Sequence, residues 1–293
     1  MKTKTILLGD NPFFGIDHLS QERMRQKVNH SNNFNKIIQV IEFVNQLGVN
    51  GFVVSTHPQL KDLINYMKTN TQLLKTLTFY PILPYVQGYV SKITEKGMVE
   101  TFNDVLYGTS TYEKLKIFYR GSVGFVLKDF KKILKTFIDI ELLPLYDVKK
   151  DTIFLHNVFT DLAISLGMRE IIETFVDHIK SQYGLRSGFV TKNLPMLVST
   201  LKKWDLEHSI AMASFNPIGY QMNPSREECE KCLAANNIPV IGMNVLAGGF
   251  LKLEDSARYI SKQNLDSVVI GMSTLEHANE TISIFRKLWT DVS

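Results

Sequence analysis

Residues 238–251 read IPVIGMNVLAGGFL, and residues 266–280 read DSVVIGMSTLEHANE. Near its start each segment has a short apolar run, at 239–243 in the first and 268–271 in the second. Small or polar residues follow each run, and a helical pattern comes after them. Parallel α/β proteins build phosphate sites from a strand, a glycine-containing turn and a helix start. The two segments therefore predict a parallel α/β fold with a place for an anionic ligand.

The rest of the chain alternates in the same way between short apolar runs and helical patterns. Eight strands are predicted in all, at residues 6–9, 52–54, 77–83, 152–155, 187–190, 210–215, 240–243 and 268–270. Eight such units predict an α/β fold of the (β/α)8 TIM barrel type. A doubly wound sheet fits less well, because no G-x-G-x-x-G motif follows the first strand.

The alternation is interrupted between the third and fourth predicted strands. Residues 89–148 contain helical patterns at 98–106, 112–118 and 128–140 but no clear strand. We interpret 89–148 as the third helix region plus an extended helical insertion, within a single barrel domain that spans residues 1–293. Its composition leaves open whether the insertion is a lid or an interface.

The composition of the 293 residues limits the kinds of partner. The net charge is only +4, and lysine and arginine are spread among aspartate and glutamate, which argues against a nucleic acid or a membrane surface as partner. No apolar run approaches the roughly 18 residues that cross a bilayer, and the first residues lack a signal-peptide core. Two cysteines make no disulfide framework. A cytoplasmic location is therefore predicted, and the oligomeric state stays open.

Polar residues at the carboxyl ends of the predicted strands are the catalytic candidates, because active sites in this fold lie there. His156 leads, since it ends an apolar strand and its imidazole could donate to a carbonyl or shuttle a proton. The alternative is a histidine that is hydrogen-bonded in the core. The remaining catalytic candidates are His57, Asp10, Lys192 and Tyr85.

These candidates also have other interpretations. His57 could belong to an exposed loop, and Asp10 could act as a base, orient a histidine or cap the turn that follows it. Lys192 could be a nucleophile, a phosphate ligand, an electrostatic stabiliser or a surface lysine. Asp10, His57 and His156 are residue types that bind zinc, iron or manganese, but no H-x-H or H-E-x-x-H motif is present, so no metal site is predicted.

The binding candidates follow from the two segments quoted first. Gly248 and Gly249 would let backbone N–H groups approach a ligand closely, and the partial positive charge of a helix start at 273–274 would favour an anion. Two ordinary loops with a well-capped helix are the alternative. With the ends of the sixth and seventh strands, the binding candidates are Asn216, Asn244, Leu246, Gly248, Gly249, Ser273 and Thr274.

The same residues resemble the aldo-keto reductase superfamily over roughly positions 150–290. The run VIGMNVLAGGFL is similar to the family's strand 7 segment S-P-L-A-G-G-L-L, and VVIGMSTLEHANET to its strand 8 turn I-P-G-A-S-S-P-E-Q-L-E-E-N. Shorter likenesses are SFNP (214–217) to E-Y-N-P and FLH (154–156) to L-I-H. The resemblance implies a (β/α)8 barrel that binds NADP(H), with the phosphates at the strand 7 and strand 8 segments.

The sequence departs from the family at the groups that perform reduction. The family uses a tyrosine acid, a lysine, an aspartate and a histidine, of which only the histidine is matched, by His156. The run Ser-Thr-His at 55–57 stands where the family has Asp-Thr-Ala, and Leu60 stands where the tyrosine belongs. No lysine ends the third strand. The comparison therefore implies that the redox groups have been replaced.

The sequence also departs from the family at positions that bind the cofactor. Met212 replaces the family's glutamine near the nicotinamide, and Thr281 replaces the asparagine that binds adenine. Thr274 stands where the family has an arginine or lysine that binds the 2′-phosphate of NADP(H). The strand 8 turn therefore does not support NAD(P) as the cofactor, although NAD(P) stays possible.

Three functional hypotheses follow from the sequence. The first is a small-molecule enzyme that does acid–base chemistry, through His156 with His57 or Asp10, on a phosphorylated or otherwise anionic substrate. The second is a divergent NAD(P)-dependent oxidoreductase with Tyr85 or His57 as proton donor. The third is a non-catalytic binding or regulatory subunit that uses the barrel as a platform.

Overall fold

The structure is a computed structural model, and it describes residues 5–14, 34–84 and 130–290. Eight parallel strands pair in chain order, and the last pairs with the first to close a barrel. The strands are β1 (Thr5–Gly9), β2 (Gly51–Ser55), β3 (Thr78–Leu83), β4 (Thr152–Leu155), β5 (Arg186–Thr191), β6 (Ile210–Ser214), β7 (Val240–Met243) and β8 (Ser267–Gly271). The predicted (β/α)8 barrel is confirmed.

Helices follow the strands and bury one apolar face each. In the first of them Ile37, Ile41 and Val44 are buried, at the spacing that places them on one side of a helix. The helices are α1 (Phe34–Gln46), α2 (Leu60–Asn70), α3 (Phe130–Leu142), α4 (Asn157–Ser165), α5 (Arg169–His178), α6 (Leu194–Lys203), α7 (Arg226–Ala235), α8 (Leu253–Ser261) and α9 (Leu275–Thr290). Over the described ranges, no helix is both long and apolar enough to cross a membrane.

Helix α4, directly after β4, was not predicted from the sequence. The reason is that its apolar residues do not mark its buried face. Val158, Phe159 and Leu162 are exposed, whereas Thr160 and Ala163 are buried. A helix whose large apolar side chains lie on the solvent side lacks the periodicity by which amphipathic helices are recognised.

The barrel interior is filled by side chains beneath the carboxyl ends of the strands. Phe154 on β4 lies directly opposite Gly188 on β5 in the sheet register. A β-carbon at position 188 would lie 2.4 Å from the Phe154 ring, so the missing side chain makes room for the ring. The interior is thus a packed core, and a ligand has space only above it.

Helix α3 is fastened to its neighbours by polar contacts. Asp139 Oδ1 lies 2.6 Å from His178 Nε2 and accepts a hydrogen bond of 2.7 Å from the Tyr183 hydroxyl. Glu141 accepts a hydrogen bond from the Thr56 hydroxyl, just after β2. The helix predicted at 128–140 therefore corresponds to α3, while the helical patterns at 98–106 and 112–118 lie outside the described residues.

Candidate functional site

A cavity of ≈ 940 Å³ lies at the carboxyl ends of the strands. This volume is within the range of roughly 300–1,000 Å³ that is typical of small-molecule sites. Six apolar strand residues that line the cavity also pack with the barrel interior, and we call them the apolar floor: Val53, Ile82, Val190, Met212, Met243 and Val269. The polar side chains around the cavity come from Asp10, Asn11, Lys36, Ser55, His156, Asn157, Lys192, Gln221, Asn244, Ser273, Thr274 and His277.

Asp10 lines the cavity and is held by Ser55 of the neighbouring strand. The backbone N–H and the hydroxyl of Ser55 both donate to Asp10 Oδ2, each at 2.6 Å. The backbone N–H of Asp10 also contributes a hydrogen bond to its own carboxylate. Burial raises the pKa of Asp10 from 3.8 to about 6, although the two Ser55 hydrogen bonds work in the opposite direction. The carboxyl group can therefore gain or lose a proton near neutral pH.

His57 does not line the cavity, contrary to its proposed catalytic role. Its ring stacks on Phe14 with the ring centroids 4.7 Å apart, and its Nδ1 accepts a hydrogen bond from Gln59 N at 3.1 Å. Burial lowers the pKa of His57 to about 4, so the imidazole is neutral at physiological pH. The chain turns after β2 ends, so the His57 ring points away from the cavity and packs on Phe14. This contact links the loop after β2 to the loop after β1.

His156 lines the cavity as expected and also caps helix α4. Its Nδ1 accepts a hydrogen bond from Val158 N at 3.2 Å, and its own backbone N–H donates to Leu83 O at 2.8 Å. A neutral imidazole whose Nδ1 accepts an N–H carries its proton on Nε2. His156 is thus arranged as an Nε2–H donor, which suits the polarisation of a carbonyl better than the shuttling of a proton.

Lys192 lines the cavity, and its backbone is fixed on both sides. Its N–H donates to Asp161 Oδ2 at 3.1 Å, and its carbonyl accepts from Asn223 N at 2.9 Å. Asp161, on α4, also accepts a hydrogen bond from the Thr191 hydroxyl. Burial raises the pKa of Asp161, and the nearby Lys192 charge works in the opposite direction. The arrangement places one ammonium group at the cavity wall.

Asn216 and Asn244 have different roles, although both were proposed as binding residues. Asn216 is fully buried and does not line the cavity; its side chain binds Tyr220 N at 2.7 Å, Tyr220 O at 2.9 Å and Asn244 O at 3.3 Å. Asn244 does line the cavity, and its Nδ2 donates to Ser214 Oγ at 2.9 Å and to Gln221 Oε1 at 3.1 Å. Asn216 therefore links the loop after β6, which presents Gln221, to the loop after β7, which presents Asn244.

The glycine-containing loop after β7 forms one side of the cavity, where the small residues let a ligand approach the backbone closely. Leu246, Gly248 and Gly249 line the cavity. The loop contains four residues with positive φ, Asn244 (53°), Ala247 (48°), Gly248 (73°) and Gly249 (89°). Two of its backbone N–H groups are engaged within the turn, since Ala247 N–H donates to Asn244 O at 2.8 Å and Gly249 N–H donates to Leu246 O at 2.9 Å. A side chain at 248 or 249 would strain this turn.

The start of α9 is capped by Thr274. Thr274 Oγ1 accepts a hydrogen bond from His277 N at 3.2 Å. The Glu276 carboxylate, whose pKa is lowered first by its own backbone N–H, also takes a hydrogen bond from the Thr274 hydroxyl. Both Ser273 and Thr274 line the cavity, but the Thr274 side chain is already engaged. Ser273 and His277 are the better ligands for an anion.

Several residues at the cavity were missed or cannot be placed. Lys36, Gln221 and His277 line the cavity without having been proposed. Lys36 and His277 lie in the first turns of α1 and α9, so the first turns of helices reach the cavity as well as the ends of strands. Gln221 has a φ of 57° in a loop, for which the sequence carries no signal. Tyr85 lies outside the described residues.

The charges around the cavity are mainly positive. Lys36 and Lys192 line it, and Asp10 is the one acidic residue among the described lining residues. Over residues 5–14, 34–84 and 130–290, no group of three histidine, cysteine, aspartate or glutamate side chains is placed to hold a metal ion. This balance favours a small anionic ligand.

The described residues do not fit the nicotinamide chemistry that the family resemblance implies. Leu60, at the place of the tyrosine acid, is fully buried, and β3 ends at Leu83 and Pro84 without a lysine. Met212, in the apolar floor, offers no strong hydrogen-bonding group. Thr281, at the place of the adenine-binding asparagine, is fully buried. Neither the proton donor nor the polar contacts expected for such a cofactor are present at these positions.

Comparisons with known proteins agree with the fold. No protein-family model matches the chain. No curated protein matches it either. Among solved structures, a protein of Pseudomonas aeruginosa assigned as an aldo-keto reductase is 12% identical, with a TM-score of 0.62 over 97% of this chain and 90% of its own. An aldo-keto reductase of Bacillus halodurans in its holo form is 11% identical, with a TM-score of 0.56 over 100% of this chain and 95% of its own.

At these identities the likeness concerns architecture. The resemblance to aldo-keto reductases noted in the sequence is confirmed for the fold, and the chain is an aldo-keto reductase-like (β/α)8 barrel protein.

Proposed function

We propose that this protein is an enzyme that moves a proton on a small anionic substrate bound at the carboxyl ends of the strands. One observation carries the proposal: Asp10 is a buried carboxyl group at the cavity, oriented by Ser55 and with a pKa raised to about 6. Perturbed carboxyl groups in clefts are typical of general acids and bases. The reaction class that fits best is removal of a proton next to a carbonyl group.

Asp10 and His156 have complementary roles in this reaction. Asp10 Oδ1 accepts the proton from a carbon atom of the substrate, and the electron pair of the broken C–H bond moves toward the carbonyl oxygen. His156 Nε2–H donates a hydrogen bond to that oxygen and stabilises its developing negative charge. The two residues follow β1 and β4, so they approach the substrate from different sides of the barrel.

The anionic group of the substrate is proposed to lie between the loop at 246–249 and the start of α9. Ser273 supplies a hydroxyl donor at the helix start, and Gly248 and Gly249 leave space for a close approach to the loop backbone. Lys36 and Lys192 add positive charge around the cavity, and His277 also lines it. A phosphate or carboxylate is the kind of group that such donors and positive charges bind.

Inorganic phosphate is the simplest probe of the anion site. We expect isothermal titration to show binding, and Lys192→Met to weaken it roughly fivefold, because a charge-assisted contact is lost. Lys203→Met is the matched control, since Lys203 ends the helix that follows Lys192 and does not line the cavity. An equal effect of the two substitutions, or no phosphate binding by the wild-type protein, contradicts the anion site.

Proton transfer can be tested without knowledge of the natural substrate. Dihydroxyacetone phosphate and phenacyl phosphate each have a C–H bond next to a carbonyl group and an anionic end. In deuterated water, proton NMR is expected to show protein-dependent loss of that C–H signal for at least one of them. Binding of both compounds without exchange would remove proton abstraction from the proposal.

A divergent NAD(P)-dependent oxidoreductase is the rival proposal, because the similar solved structures include aldo-keto reductases. Of its two proposed proton donors, His57 is stacked on Phe14 away from the cavity, and Tyr85 lies outside the described residues. Oxidation of NADPH in the presence of an aldehyde, followed by its near-ultraviolet absorbance, would favour this rival.

A further inference from the structure

The apolar floor differs in chemistry from the rest of the cavity. Six strands contribute one residue each to it, and all six side chains are those of valine, isoleucine or methionine. Val53, Val190 and Met212 are buried, while Ile82, Met243 and Val269 are partly buried against them. Among the described residues, the floor therefore presents a continuous hydrocarbon and thioether surface beneath a polar wall.

Neither phosphate nor a short polar substrate makes use of this surface. A phosphate group fills a small part of a cavity of ≈ 940 Å³, and its oxygens need donors that the floor lacks. Water above such a surface has few hydrogen-bonding partners, and an apolar group that displaces it gains binding free energy. A polar substituent placed there would lose its hydrogen bonds to water without replacement.

We propose that the substrate is amphipathic, with a phosphate or carboxylate at one end and an aryl or branched-alkyl body that lies on the apolar floor. The inference rests on the proposed function for the position of the anion, and it adds the chemical class of the remaining part. Met212 and Val269, on β6 and β8, are the residues that select for an apolar body, while Asp10 and His156 act on the carbon atoms between the two ends.

The floor also explains why a ring that carries a carboxamide is a poor occupant. An amide on the apolar floor would contact only hydrocarbon and thioether groups, and a thioether such as that of Met212 is a weak acceptor and no donor. A buried amide left without hydrogen bonds loses more binding free energy than an unsubstituted ring of the same size. The selection is thus against polar substituents rather than against rings.

The test compares three probes by isothermal titration: phenyl phosphate, inorganic phosphate and benzyl alcohol. Phenyl phosphate is expected to bind at least tenfold more tightly than inorganic phosphate, with a negative heat-capacity change that marks apolar burial. Met212→Gln keeps the length of the side chain, and Val269→Thr keeps its shape, while each adds polar atoms. Either substitution should reduce the preference for phenyl phosphate to about threefold or less and leave inorganic phosphate binding unchanged.

The outcomes separate this inference from the proposed anion site. Equal affinities for phenyl phosphate and inorganic phosphate would overturn the amphipathic substrate and leave the anion site standing. Binding of benzyl alcohol that Met212→Gln weakens, without binding of inorganic phosphate, would support the floor and contradict the anion site. Circular dichroism checks that Met212→Gln and Val269→Thr are folded. If one of them is not, the binding measurements on the other still test the apolar floor.

Discussion

Asp10→Asn is expected to stabilise the protein at neutral pH and to stop proton transfer in the cavity. Burial raises the pKa of Asp10 from 3.8 to about 6, so the ionised form costs about 3 kcal/mol at pH 7. Asparagine has the same shape, and its oxygen can accept both hydrogen bonds from Ser55. We expect a gain of about 1–3 kcal/mol in the free energy of unfolding and a fall of roughly 10³-fold in the rate of deuterium exchange.

Urea unfolding and the exchange assay on the same preparations test both halves of this prediction. Ser55→Ala is the matched control. Because the Ser55 hydroxyl lowers the pKa of Asp10, its removal should raise that pKa and move the pH midpoint of exchange upward while turnover persists. Undiminished exchange by Asp10→Asn would exclude Asp10 as the base, and a loss of stability would show that its hydrogen bonds outweigh its burial.

Asp10 and His57 give opposite pH dependences of stability. The folded pKa of Asp10, about 6, lies above its ordinary value, so its contribution is full below pH 3.8 and is lost as the pH rises through about 6. The folded pKa of His57, about 4, lies below its ordinary 6.5, so its contribution is present above pH 6.5 and is lost as the pH falls toward 4.

Single substitutions should separate the two effects. Asp10→Asn leaves the His57 dependence, so its free energy of unfolding should fall as the pH is lowered from 6.5 to 4. His57→Gln leaves the Asp10 dependence, so its free energy of unfolding should fall as the pH is raised from 4 to 6. Urea midpoints across this range measure both slopes, and slopes of the same sign in the two variants would contradict the assignment.

Gly188→Ala is expected to destabilise the barrel by about 3 kcal/mol or more, because the packed interior has no room for a methyl group. The new β-carbon would lie 2.4 Å from Phe154 Cε1, 2.5 Å from Cδ1 and 3.0 Å from Cζ. These are ring atoms of a fully buried side chain, so the ring must move as a unit. Urea unfolding measures the loss.

Two further variants show whether the clash is the cause. Gly184→Ala adds a methyl group in open space but at a φ of 64°, so it should cost only about 1 kcal/mol. Gly188→Ala combined with Phe154→Leu should recover part of the lost stability, because leucine vacates the region of the ring edge. If the double variant is less stable than the sum of its parts predicts, the steric explanation is wrong.

Much of the architecture was predictable, since local patterns determine where strands and helices form. The bounds of β4 and β7 match the prediction residue for residue, and the other strands differ by only one or two residues at their ends. Their apolar runs are buried on both faces in a parallel barrel, which gives a strong signal. Helix α4 was missed because its large apolar residues are exposed.

The candidate site was predictable only in outline. Strand ends correctly pointed to Asp10, His156, Lys192 and Asn244 as residues around one cavity. The same rule failed for His57, since a residue beyond the end of a strand follows its loop, and this loop turns the ring onto Phe14.

The sequence by itself determined that this chain is a barrel with its polar groups at the carboxyl ends of the strands, because the apolar period and the turn residues are local properties. Only the tertiary structure decided that Ser55 meets Asp10 across 45 positions of sequence and that Asp10 is buried enough to hold a proton near neutral pH. Tertiary packing also brought six separate strands together as one apolar floor. Burial and hydrogen-bonding partners depend on contacts between distant segments, and no local pattern encodes them.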